Sequence, residues 1–151
     1  MDTVTYPDSQ VACFIADNLI PLRLRSDSKP YSEQFHITWT PTLIILDPDN
    51  GREHQRTVGF LPPEELIPSL MLGIGKYNFD HDCFDEALTR FEQLLDLFDR
   101  SGSAPEAIFM TGVCGYKRSH DPKPLKAAYE RLSTEFPDSE WTKRALPYRL
   151  L

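Results

Sequence analysis

Three cysteines, Cys13, Cys83 and Cys114, are the residues best suited to nucleophilic or redox chemistry, and they lie far apart in the chain. Thiol–disulfide exchange needs an attacking thiolate of lowered pKa and a second thiol to resolve the mixed disulfide. No Cys-x-x-Cys occurs, so that chemistry has no local framework. His81-x-Cys83, set between Asp80 and Asp82, has two residue types that ligate zinc. A tetrahedral site needs two more donors, and no second pair has zinc spacing. The stretch reads instead as a capped helix start, with Asp82 as N-cap and Asp85 at the capping-box position. Asp47, Asp49 and Asn50 have calcium-binding side chains, but the acidic residue that closes an EF-hand loop is absent, which leaves a turn. No G-x-S-x-G, Walker loop, H-E-x-x-H or G-x-G-x-x-G is present. The chain therefore names no catalytic residue, no metal ligand and no cofactor.

The totals narrow the partners. With 16 basic against 23 acidic residues the net charge is −7, which disfavours nucleic acid and anionic membranes. The one basic grouping, Lys117, Arg118, Lys123 and Lys126, reads as a solvated rim. No apolar run approaches the ~20 residues of a membrane span, and Met1-Asp2-Thr3-Val4 has neither the basic start nor the apolar core of a signal peptide. An odd number of widely spaced cysteines fits a reducing compartment, so cytoplasm is the expected location.

The elements that hold these residues can be read from residue spacing. Val11, Phe14 and Ile15 share one face of a predicted helix over Ser9–Asn18, with Cys13 packed mid-helix as a core thiol. Ile20-Pro-Leu22-Arg-Leu24-Arg25 alternates apolar and polar side chains, the pattern of a half-exposed strand. Tyr31–Phe35 reads as one helical turn. Thr42–Leu46 is short, β-branched and apolar, a buried strand opened by Pro41. Asp47-Pro-Asp-Asn50-Gly51 supplies turn residues, and Gln55–Gly59 returns antiparallel.

Thr40-Pro41-Thr42, the turn Asp47–Gly51 and Val58-Gly59-Phe60 together resemble the second half of a thioredoxin-like domain. The resemblance covers residues 4 to 72 and implies a cis bond at Thr40–Pro41. It also implies that Trp39, Thr40 and Pro41 offer backbone to an extended peptide by strand addition. In that family a strand, a helix, a central strand and a Trp-Cys-x-x-Cys motif come first, and residues 1 to 35 do not contain them. The strands expected at Ile20–Arg25 and Thr42–Leu46 would then flank an absent central strand. That slot would be filled by a partner's strand or by a second copy of the chain.

After Pro62-Pro63-Glu64-Glu65 the sequence turns helical. Leu66, Ile67, Leu70, Met71 and Ile74 form a stripe, and Pro68 predicts a kink or a late start. Ala87, Leu88, Phe91, Leu94, Leu95 and Phe98 mark a second helix. Further helices are predicted over Pro105–Tyr116, Pro122–Phe136 and Glu140–Tyr148. Gly75…Ala87…Phe91 recurs as Gly112…Leu125…Tyr129, a period of 37 or 38. This resembles tetratricopeptide helix hairpins, whose period is about 34, although Asn78 stands where their aromatic residue is expected.

The expected fold class is thus α/β then all-α. A partial thioredoxin-like segment over residues 1–72 precedes a tetratricopeptide-like array over 73–151. The expected function is a non-catalytic protein- or peptide-binding module, with a homodimer through the open sheet edge as one form of it. The rival expectation is a thiol–disulfide oxidoreductase whose Cys-x-x-Cys lies upstream of Met1.

Overall fold

The computed structural model describes residues 1–151. An α/β front is followed by helices alone: α1 (Ser9–Asn18), α2 (Tyr31–Gln34), β1 (Thr42–Leu46), β2 (Glu53–Val58), α3 (Pro63–Asp80), α4 (Phe84–Leu97), α5 (Ala104–Ser119), α6 (Lys123–Glu135) and α7 (Glu140–Ala145). A 3₁₀ turn, Leu146–Leu150, closes the chain where the sequence predicts a longer last helix.

The helix α3 is central to the molecule. Pro63 occupies its first turn, where a missing N–H costs nothing, and Glu64 and Glu65 complement its positive end. The expected late start does not occur. Pro68 stays inside the helix and is fully buried, so packing outweighs the hydrogen bond it withholds. Leu66 through Gly73 are all buried, the signature of a helix covered on every side. At Gly73 a Cβ would collide with Ile45 and lie 2.9 Å from the Gln55 Cβ, so only glycine lets the hairpin rest on the helix. Two residues on, a Cβ at Gly75 would lie 2.8 Å from Phe91 Cδ1, and its absence admits the Phe91 ring. Because α3 runs across residues 72 and 73, the front and the helical array share it. They also share one core of 17 buried residues reaching from Val11 to Ala145. Phe91, Leu94 and Leu132 belong to that core, and Tyr129 and Trp141 pack against it.

β1 and β2 form a two-stranded antiparallel sheet. Leu43 and Ile45 pack toward the core, and Thr57 reaches Ser69 of α3 at 3.0 Å between hydroxyls. Asp47 organises the connecting turn. Its Oδ1 accepts from the Asp49 N–H at 2.9 Å, its Oδ2 accepts from Asn50 Nδ2 at 2.7 Å, and Gly51 takes φ +72°.

Three further sequence expectations fail for identifiable reasons. Residues 20–25 form no strand, and Ile20 is 94% and Leu22 78% exposed. Alternation alone does not make a strand when no neighbouring ladder takes up its backbone groups. Cys13 is exposed, because α1 turns Val11 inward and a residue two positions on points the other way. Asp82 is not the N-cap of α4; that position is Cys83. Asp82 lies in the left-handed region at φ +59° and ends α3 instead. Its N–H bonds the Phe79 carbonyl at 3.1 Å and the Cys83 N–H bonds the Asn78 carbonyl at 2.9 Å, the pair of bonds that defines a Schellman motif.

Candidate functional site

Trp39, Thr40 and Pro41 lead directly into β1. Trp39 is 66% exposed, Thr40 is exposed and Pro41 half-buried, and the Thr40–Pro41 bond is cis, as is Lys29–Pro30. The Trp39 carbonyl accepts from the Thr42 hydroxyl at 2.7 Å, whereas no intramolecular hydrogen bond reaches the Thr40 backbone. Beside them Ser26, Ile37, Thr38, Trp39 and Thr40 line a shallow depression of about 420 Å³.

The ladder shows which backbone groups face outward. The Gly59 N–H bonds the Pro41 carbonyl at 2.9 Å, which makes that pair a hydrogen-bonded one. In an antiparallel ladder such pairs alternate. With Leu43 opposite Thr57 and Ile45 opposite Gln55, those residues also turn inward to β2. Thr42 and Ile44 therefore present their N–H and C=O to the free edge, and the two-stranded sheet places nothing against them. The edge of β1 is Thr-Leu-Ile-Ile-Leu, with no charge and no internal proline, whereas β2 carries Glu53 and Arg56. Charges and prolines are the usual guards of an exposed edge, and β1 has none.

A second cluster forms where the hairpin turn meets the end of α3. A donor atom from each of Asp47, His54 and His81 lies within 4.8 Å of the other two. His54 Nδ1 is 2.7 Å from Asp80 Oδ2, and Arg52 approaches the same oxygen at 3.2 Å. His81 Nε2 is 3.1 Å from Asp47 Oδ2, while His81 Nδ1 is 2.8 Å from the Tyr77 carbonyl oxygen. The side chains of His54 and Asp47 are 0% and 1% exposed, and that of His81 37%. The Asp47 carboxyl is held below the ordinary carboxylate range, first by the Asp49 N–H and then by Asn50 and the two histidines, against the opposing effect of desolvation. Reading Asp47 only with its turn neighbours, and His81 only with Cys83, misses this grouping. Its one sequence signal is an Asp and two histidines placed at three element ends.

The cysteines are not brought together. Cys13 and Cys83 are exposed and Cys114 is buried, and none is paired. Burial pushes the Cys114 thiol up to about 12, and a hydrogen bond toward Asp17 at 3.4 Å raises that of Cys13.

No family model, curated protein or solved structure matches this chain. No helix is long and apolar enough to cross a membrane.

Proposed function

We propose that this chain is a non-catalytic protein- or peptide-binding module, thioredoxin-like in its front and tetratricopeptide-like in its helical array. It takes an extended segment of a partner as a third strand along β1. The observation that carries this reading is the unguarded outer edge of β1, with Thr42 and Ile44 facing outward beside the exposed Trp39. Each intermolecular N–H···O bond contributes about 0.5–1.5 kcal/mol net. Four outward groups therefore give an affinity that side-chain contacts must complete, and Trp is the residue type most enriched at such anchor points. The negative net charge suits a protein or peptide better than a nucleic acid. The three unpaired thiols suit a reducing cytoplasm.

Ile44→Pro tests the reading. It removes one outward N–H and leaves the β1–β2 ladder intact, since a proline is tolerated where its N–H would face solvent. Ten-residue peptides selected by display against the wild-type chain should lose binding to Ile44→Pro and weaken against Trp39→Ala. Equal binding to both variants, with unchanged circular dichroism, would remove β1 as the acceptor.

A further inference from the structure

We propose that Asp47, His54 and His81 form a binding site for a divalent transition-metal ion, Zn²⁺ by the chemistry of its donors. The hydrogen bonds around the two rings decide where their protons sit. The Tyr77 carbonyl can only accept, so His81 Nδ1 carries a hydrogen and Nε2 is the ring atom turned toward Asp47. That nitrogen and the Asp47 carboxylate oxygen lie 3.1 Å apart, joined as an ion pair when the ring is protonated; a metal ion that displaces that proton takes both atoms as ligands. His54 is oriented in the same way. Its Nδ1 donates to Asp80 at 2.7 Å, which leaves the Nε2 lone pair buried and without any partner. A fully buried ring nitrogen with no hydrogen bond is costly unless something binds it.

The three donors suit zinc. In a tetrahedral shell with metal–ligand distances of ~2.0–2.2 Å, neighbouring donors lie ~3.4 Å apart. The Asp47–His81 pair is already close to that spacing, and His54 closes in from within 4.8 Å. Imidazole donors favour zinc, cobalt, nickel or copper over magnesium and calcium. Both rings also have the outer partners that metal-binding histidines use, a carboxylate for His54 and a backbone carbonyl for His81. Three protein donors leave the fourth position of a tetrahedral shell open. The Schellman turn at Asp82 and the Asp47 turn fix the two ends that meet there. This assignment is independent of the strand-addition reading and involves none of its residues.

Titration of the chelator-treated full chain with Co²⁺, followed by Zn²⁺, tests the site. One Co²⁺ per chain should bind with the intense visible bands of tetrahedral cobalt, and one equivalent of Zn²⁺ should displace it. His81→Ala, at a half-exposed position outside the core, should abolish the bands. Asp47→Asn, which keeps the acceptor for the Asp49 N–H, should do the same. Asp80→Asn, a positioning change, should weaken binding ~10- to 100-fold, and Cys83→Ser should change nothing. The proposal is overturned if the wild-type chain takes up no Co²⁺ or if His81→Ala keeps the same spectrum. A thiolate-to-cobalt band lost in Cys83→Ser would overturn it as well. Should Asp47→Asn not fold, His81→Ala decides alone.

Discussion

His54 of β2 and Asp80 at the last turn of α3 meet at 2.7 Å, Nδ1 to Oδ2, with the histidine side chain wholly buried. This contact ties the hairpin to the end of α3 and gives His54 a fixed ring orientation.

Removing the carboxylate should therefore weaken the fold as well as the cluster. Asp80→Ala leaves His54 Nδ1 buried without an acceptor, which costs about 1–3 kcal/mol. Urea denaturation should show a lower midpoint at unchanged slope. An unchanged midpoint would mean that the ring reorients freely.

Acid stability should report on Asp47. Its folded pKa is depressed, so its contribution is fully present above the unfolded value near 3.8 and is lost as pH falls through the lowered folded value. Unfolding followed from pH 6 downward should steepen below about pH 4, and Asp47→Asn should flatten that part of the curve. Identical acid limbs for the two chains would show that Asp47 is not held as described.

The contact between Gly75 and Phe91 sets the distance between α3 and α4. Phe91→Ala empties a fully buried position and should cost about 3–5 kcal/mol. Gly75→Ala should also destabilise, by about 1–3 kcal/mol, despite alanine's better helix propensity. Adding Phe91→Leu to Gly75→Ala should recover part of that loss, since the smaller side chain makes room. Additive losses in a double-mutant cycle would contradict the collision expected of a Cβ that would lie 2.8 Å from Phe91 Cδ1.

Hydrogen exchange along β1 should alternate. Leu43 and Ile45 bond to β2 and should exchange slowly, while Thr42 and Ile44 should exchange fast in dilute solution. If protection of Thr42 and Ile44 rises with protein concentration alongside an earlier elution in size-exclusion chromatography, a second copy fills the edge. Uniform protection in a strict monomer would mean that another segment of the chain covers it.

Insulin reduction by dithiothreitol should proceed no faster with this chain than without it. The three thiols lie apart, and two have raised pKa values that reduce their thiolate fraction. Alkylation at pH 8 should modify Cys83 readily and Cys114 only after unfolding. A clear reductase rate abolished by Cys13→Ser would reverse this assignment.

Local signals in the sequence were enough for much of the architecture. Helical spacing at Ala87, Phe91, Leu94 and Leu95 and the paired turn residues between β1 and β2 determine their elements through contacts within a few residues. Where a feature depends on what lies next to it in space, the sequence is silent or misleading. The alternation at Ile20–Arg25 has a strand's pattern but no ladder to join. Asp82 has a good capping side chain, yet the Schellman closure of α3 claims its backbone first. The Asp47–His54–His81 cluster is wholly a product of packing. Gly73 lets the hairpin settle on α3, and only that close approach brings a turn residue, a strand residue and a helix end within reach of one ion.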